Sequence, residues 1–409
     1  MSALAGRQVS IGVGGGIAAY KVCELVSSLA KANARVRVVM TKAAQQFITP
    51  LTLTTLCRHP AYTDELFWQP LHDRPLHIAL GEQSELLVVA PLTANTLAKL
   101  AGGLADNLLT NLVLASTCPV LLAPAMNTEM WQQEAVQRNC KLLQGNPRYH
   151  WVGPGSGVLA CDRIGAGRMA EPAEILAQIE SLLHTLGRRD LTNKRILISA
   201  GSTREFLDPV RFIGNPSTGK MGIALVQAAQ HRGAHVTLVH GPMDPGLLAL
   251  VPAARCRLVA SAAEMQQAML AEFSTTDWTI MAAAVADVKP AERFDTKLPK
   301  QMLSQTLALL PVPDILAALG QRKQSHQILI GFAAQTGDIV APALQKLEAK
   351  QLDAIAANPI DQPNSGFGSD FNQAIFLDRQ GHQQKIAPCS KLQLAHQLLD
   401  FVLSHLPRS

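Results

Sequence analysis

Short apolar runs alternate with helical stripes along most of this chain. Val9 to Val13 reads as a buried strand, and a glycine loop follows it. Beyond the loop, Ala18, Val22, Leu25, Val26 and Leu29 recur at helical spacing and share one face. Val36 to Met40, Leu86 to Ala90 and Val120 to Ala123 read as further strands, separated by segments long enough for helices. Strands with no polar face are covered on both sides, so the pattern predicts a parallel sheet between helices. The alternation restarts near residue 190. Gly187, Arg188, Arg189, Asp190, Thr192, Asn193 and Lys194 make a polar connector, and Arg195 to Ala200 then opens a second sheet. A helix with Met221, Ala224, Leu225 and Ala228 on one face follows, with Gly233 placed to end it. His235 to Val239, Thr279 to Ala283, Ile328 to Phe332 and Ala354 to Ala357 read as strands, and Ala395, Leu398, Leu399 and Val402 mark a closing helix.

The 409 residues are too many for one ordinary core. The expected fold is therefore α/β: two doubly wound domains around mostly parallel sheets, at residues 1–189 and 190–409. A composition of 48% hydrophobic and 16% charged residues suits a well-buried enzyme rather than a disordered chain. The net charge of +5 is scattered, with no basic stripe carrying aromatics, which argues against nucleic acid as a partner. The seven cysteines form no CxxC pair, the pattern of reduced thiols in a cytoplasmic protein. No signal peptide is expected. The uncharged run from Asn107 to Thr128 is long enough to cross a bilayer, but Asn111, Ser116, Thr117, Pro119 and Pro124 interrupt it. A buried helix followed by a buried strand explains it better, so no membrane partner is expected.

Gly12-Val13-Gly14-Gly15-Gly16-Ile17 lies between a strand and a helix, where backbone N–H groups and the helix dipole attract phosphate. Tight turns also need glycine, so the loop alone is a weak signal. Two details sharpen it. Ile17 stands where a dinucleotide fingerprint requires a small residue, and no Asp or Glu occurs from Leu25 to Thr63 to hold an adenosine ribose. NAD is disfavoured; the single phosphate of a flavin fits better.

GVGGGIAAYK (Gly12 to Lys21), PAMNTEMW (Pro124 to Trp131), His77 within LHIAL, and Ala160-Cys161 with GAGRM (Gly165 to Met169) together resemble the flavin-dependent cysteine decarboxylase family. The octet is the most specific of these. The resemblance implies a flavodoxin-like or Rossmann-like domain that binds FMN through Gly14, Gly15, Gly16, Ile17, Thr41 and Thr93. It also implies a route in which flavin first oxidises a cysteinyl Cβ–S unit to a thioaldehyde, an electron sink that allows CO2 to leave. In that scheme Cys161, a thiol with an ordinary pKa of about 8.5, supplies a proton, and His77 acts as base or orients substrate. Asn127, able to donate and accept at once, binds carboxylate and amide, and Met169 belongs to the substrate clamp. Gly14 departs from the family's usual serine, removing one hydroxyl contact worth about 1 kcal/mol, and Asp162 replaces the glycine that normally follows the cysteine.

Gly214-Asn215-Pro216-Ser217-Thr218-Gly219-Lys220-Met221 nearly spells a P-loop, but Met221 stands where the Mg-binding hydroxyl belongs and no long strand leads into the loop. A phosphate cradle before a helix remains a sound reading. The run from Ser199 to Gly222 resembles the phosphopantothenate–cysteine ligase family, as do Ala284 to Asp287, Lys297, Pro313-Asp314-Ile315, Phe332, Lys346, Lys350 and Asn358. This implies a Rossmann-like ligase domain in which CTP activates a carboxylate as an acyl-cytidylate and cysteine displaces CMP. Lys297 is assigned to the first step and Asn215 to the acyl-cytidylate carbonyl. Asp287 is assigned to the nucleotide or its Mg2+, and Pro313, Asp314, Ile315, Phe332, Lys346 and Lys350 to the nucleotide. Lys346 and Lys350 lie one helical turn apart, although such a pair taken alone is more often a solvated face. Val288 and Pro299 depart from the family's usual aromatic and lysine residues.

Joined in one chain, the two resemblances imply a bifunctional enzyme of coenzyme A synthesis whose partners are 4'-phosphopantothenate, cysteine and CTP. They also imply a homo-oligomer with trimeric decarboxylase and dimeric ligase contacts. The alternatives are a flavin-binding regulatory protein without turnover, suggested by Gly14 and Asp162, and an NAD-dependent reductase.

Overall fold

The structure is a computed structural model and describes residues 3–69, 74–158, 164–303, 305–362, 366 and 368–406. The chain divides into two compact units, Met1–Arg188 and Arg189–Ser409.

The N-terminal unit is built on β1 (Gln8–Val13), β2 (Arg35–Met40), β3 (Ala61–Tyr62), β4 (Leu86–Leu92), β5 (Val120–Pro124) and β6 (Tyr149–Trp151). They form one sheet in the order β3-β2-β1-β4-β5-β6, and every pairing is parallel. Successive side chains point to opposite faces, which is why these strands carry no polar alternation. Val88 and Ala90 of β4 join the core that includes the helix Ala19–Lys31, while Leu87 and Val89 join a second core against the helix Leu108–Ala115. The helix Ala19–Lys31 buries Ala19, Val22, Leu25, Val26 and Leu29, the stripe read from the sequence. The uncharged run resolves into the helix Leu108–Ala115 and β5, and no helix among the described residues is long and apolar enough to cross a membrane. A small antiparallel pair, β7 (Gly155–Val158) and β8 (Ile164–Arg168), stands apart from the sheet.

The C-terminal unit contains β9 (Arg195–Ala200), β10 (Glu205–Phe206), β11 (Phe212–Ile213), β12 (His235–His240), β13 (Arg255–Leu258), β14 (Trp278–Met281), β15 (Val288–Pro290) and β16 (Leu309–Pro311). β17 (Ile328–Gln335), β18 (Ala354–Pro359), β19 (Phe371–Asp378) and β20 (Gln383–Ser390) complete it. The main sheet runs β13-β12-β9-β14-β17-β18-β19-β20, parallel up to β18 and antiparallel thereafter. Two expectations need correction. β14 ends at Met281 rather than Ala283, because the amides of Ala283 and Ala284 turn to Ser199 Oγ and Gly201 O at the end of β9. The β19–β20 hairpin went unpredicted: β20 is mostly exposed and polar and contains Pro388, as an edge strand can. The helix Lys220–His231 is buried almost all round, and Gly233, at φ +92°, follows its last turn.

Candidate functional site

In each unit the strand order reverses beside its first strand, between β1 and β4 and between β9 and β14. Loops leaving the two neighbouring strands diverge there and open a crevice beyond their carboxyl ends. Both candidate sites sit at such ends.

In the N-terminal unit, Gly14 to Gly16 join β1 to the helix Ala19–Lys31. That helix has no side-chain cap and no acidic residue in its first turn, so its positive end is left for an external anion. A Cβ added at Gly15 would sit 2.3 Å from Ala43 Cβ, and one at Gly14 would sit 2.3 Å from Pro91 O. The family's serine at position 14 would therefore collide with this backbone, so Gly14 marks a tighter loop, not simply a missing hydroxyl. Gly16 is more open, with Thr93 Cγ2 3.7 Å from a Cβ there. Thr41, just past β2, donates to Val13 O at 3.2 Å and accepts from the Ala44 amide. Thr93, just past β4, caps the helix Ala94–Gly102. Ile17 is 60% exposed at the start of the helix. Lys21, at the end of the glycine-loop run, is held by Glu171 at 2.9 Å, and Glu171 also takes Arg168 at 2.7 Å.

The octet begins at the end of β5. Asn127 Oδ1 accepts the Glu129 and Met130 amides at 2.8 and 3.3 Å, capping the helix Thr128–Gln132. Its acceptor is thus committed to the backbone, which corrects the expectation that it both donates and accepts toward substrate. Strand β8 lies against this segment: Met126 N donates to Gly167 O at 2.9 Å. A Cβ at Gly167, where φ is +136°, would meet Met126 O at 2.2 Å, and one at Gly165 would meet Thr128 Oγ1 at 2.4 Å. The two glycines are what let the hairpin approach. The buried Thr128 hydroxyl and His77 Nδ1 have no hydrogen-bond partner among the described residues, and His77 packs edge-on to Phe67. Met169, from the expected clamp segment, is only 2% exposed and packs its side chain in the core. Cys161 and Asp162 lie outside the described residues.

The C-terminal unit holds a cavity of about 520 Å³. Asn215, Asp287, Pro313, Asp314 and Ile315 line it, together with Phe332, Lys346, Lys350 and Asn358. Residues up to 143 positions apart thus converge, counting from Asn215 to Asn358. Asn215 Nδ2 donates to Val285 O at 3.0 Å and Ala284 O at 3.4 Å; two acceptors facing one amide nitrogen fix its orientation. Lys346 donates to Phe332 O at 2.8 Å. Burial, aided by the neighbouring Lys350, pulls its pKa down to about 8, against the opposing pull of Asp314 and Asp287. Asp314 pairs with Lys350 at 2.9 Å and caps the helix Ile315–Arg322. Burial would raise its pKa, but the Ala317 amide, Lys350 and Lys346 outweigh that and hold the carboxyl below its ordinary value.

Lys297 is not brought here. It is exposed and does not line this cavity, on a segment pinned at Leu298 by Asp208 and Arg211. Sequence reasoning missed two lining cations. Lys220 bonds Asp370 at 2.6 Å and Gly368 O at 3.1 Å. Lys391 is 7% exposed and donates to the Gly366 and Ser369 carbonyls. The Gly219-Lys220 pair was a usable signal, whereas nothing near Lys391 marks it. The helix Lys220–His231 also starts without a side-chain cap, after Gly219 at φ +84°.

Residues 2–184 match the Flavoprotein family, and residues 191–406 match the family described as DNA/pantothenate metabolism flavoprotein C-terminal domain. The chain is 43% identical over 397 residues to the coenzyme A biosynthesis bifunctional protein CoaBC of Bacillus subtilis, covering 96% of each. It is 40% identical over 399 residues to the CoaBC of Escherichia coli K12, covering 97% of this chain and 96% of that protein. A crystal structure of the C-terminal domain of a CoaBC protein, 33% identical, superposes with a TM-score of 0.44 and covers 53% of this chain and 98% of that one.

Proposed function

The chain belongs to the family of bifunctional coenzyme A biosynthesis proteins, and from that premise we propose how its two units divide the chemistry. The enzyme is a phosphopantothenate–cysteine ligase and a phosphopantothenoylcysteine decarboxylase. Residues 190–409 carry ligation and residues 1–189 carry decarboxylation. The observation behind this division is the convergence of Asn215, Asp287, Asp314, Lys346 and Lys350 on one cavity in the C-terminal unit.

In that cavity CTP is the activating nucleotide. The carboxylate of 4'-phosphopantothenate forms a bond to the α-phosphorus while the α–β phosphoanhydride breaks, releasing pyrophosphate. The cysteine amine then forms the amide, CMP leaves, and the amine gives up a proton. Lys346 and Lys350 balance the triphosphate charge. Asn215 is poised to hold the acyl carbonyl by exchanging its longer bond, that to Ala284. The cavity offers Asp287 as a carboxylate for Mg2+, which commonly binds through one or two carboxylates and substrate phosphates. Such an ion would further offset triphosphate charge.

The N-terminal cradle fits the phosphate of FMN: an uncapped helix start, no acid in its first turn, and Gly14 and Gly15 packed too closely for side chains. Gly14 to Gly16 and the backbone at Ile17 would hold it, flanked by Thr41 and Thr93. Bound FMN supplies reversible two-electron chemistry at the cysteinyl Cβ–S unit. Asn127, held in one rotamer by its capping bonds, orients the substrate through its amide nitrogen. His77 takes the base or orienting role, and Cys161 delivers the final proton. The six described cysteines are free, which accords with a reducing cytosol. Trimeric decarboxylase and dimeric ligase contacts complete the reading, and they would cover exposed apolar residues such as Leu51 and Trp68 in one unit and Leu310 in the other.

The test is incubation of the full chain with cysteine, CTP, 4'-phosphopantothenate and Mg2+, followed by mass spectrometry. The amide and then its decarboxylated product should appear, with one pyrophosphate per amide. Amide formed equally well with other nucleotides overturns the choice of CTP. No pyrophosphate and no amide overturns the ligase reading.

A further inference from the structure

We propose that Asp378, His382 and His405 form a binding site for a borderline divalent transition-metal ion such as Zn2+, separate from the cavity. One ligand atom from each residue lies within 4.8 Å of the others. Asp378 ends β19 and is 1% exposed. Its Oδ1 accepts the Gln380 and His382 amides at 2.9 Å each, which locks the carboxylate at the β19–β20 turn. Its Oδ2 lies 2.8 Å from His382 Nδ1. His405, the last residue of the helix Lys391–His405, comes from a distant part of the chain, and its ring stacks on that of His382 at 4.4 Å.

Two imidazoles and a carboxylate suit Zn2+, Ni2+ or Cu2+, whereas Mg2+ and Ca2+ require mostly oxygen ligands. A tetrahedral ion with bonds of about 2.0–2.1 Å sets its ligand atoms about 3.3 Å apart. Both imidazoles are exposed, so the rings can turn toward the fixed carboxylate from their present stacked arrangement. The amide bonds to Asp378 Oδ1 would then act as the outer hydrogen bonds that orient a metal-binding carboxylate. Water would complete the coordination.

The location gives the site a consequence. At about 1.5 Å per residue, the helix Lys391–His405 separates His405 from the cavity residue Lys391 by about 21 Å. β19 likewise carries Asn372 at the cavity and Asp378 at its other end. A bound ion would clip together the far ends of two elements whose near ends line the cavity. It is therefore distinct from any ion held by triphosphate.

The test uses the full chain, stripped of metal and titrated with Zn2+ against a chromophoric chelator. Wild type should hold one Zn2+ that His382→Ala and His405→Ala each bind at least about tenfold more weakly. Zn2+ should raise the Tm of wild type and not of the variants, while excess Mg2+ should not compete. Circular dichroism spectra that agree among the three metal-free proteins exclude misfolding, and each Zn2+ shift is read against that protein's own metal-free Tm, because His382→Ala removes the partner of Asp378 Oδ2. A Co2+ spectrum without thiolate charge-transfer bands separates this site from the cysteines. Equal Zn2+ affinity in wild type and the two variants, or displacement by Mg2+, overturns the proposal.

Discussion

Replacing Lys346 with methionine should make the C-terminal unit more stable at neutral pH and abolish ligation. In the folded unit the amine's pKa falls from the ordinary 10.5 to about 8, mainly because the cavity wall desolvates it. At about 1.4 kcal/mol per pH unit, holding that amine charged at pH 7 costs about 3 kcal/mol. Methionine removes this cost but forfeits the bond to Phe332 O, worth about 1 kcal/mol, leaving a net gain of about 2 kcal/mol. The pH dependence identifies the cause. Between about 8 and 10.5 the unfolded chain keeps a proton that the folded unit has released, so wild-type stability rises with pH across this window. The advantage of the variant should therefore be full below pH 8 and shrink as pH approaches 10.5. Hydrogen exchange of the slowest β14 and β17 amides in the intact protein measures it at pH 7 and near pH 10. A variant less stable at pH 7, or one whose gain is the same at both values, refutes the reasoning.

Lys391→Met should raise the KM for CTP by about tenfold or more, because it removes a buried cation from the cavity wall; an unchanged KM in a pyrophosphate-release assay removes Lys391 from the site. Gly167→Ala should cost about 1–3 kcal/mol of backbone strain and push β8 off Met126, so decarboxylation falls while ligation persists. Product masses from the coupled reaction distinguish the two outcomes, and normal decarboxylation in that variant means the hairpin contact is dispensable. Cys161→Ser should stall decarboxylation and leave amide synthesis intact; a normal yield of 4'-phosphopantetheine refutes its role as proton donor.

Periodicity was enough to find the strands of the two parallel sheets that matter most, since a strand buried on both faces must be apolar at every position. β1, β2, β4 and β5 were legible for that reason, as was the stripe of the helix Ala19–Lys31. β20 was not, because its exposed residues leave no apolar signature. The glycine loops were visible as loops. Their closeness was not: the 2.2 Å approach that forbids a Cβ at Gly167 depends on Met126, 41 positions away in sequence.

Residue type and local spacing determined which groups this protein has for binding phosphate, flavin and nucleotide, because those are properties of short segments. Tertiary packing decided which of them meet. It joined Asn215 to Lys346 and Lys350 around one cavity, added Lys391 to its wall, left Lys297 outside, and buried Met169 in the core. It also set the environment of Lys346, since burial and neighbouring charge, not the identity of the amine, govern where its proton is lost.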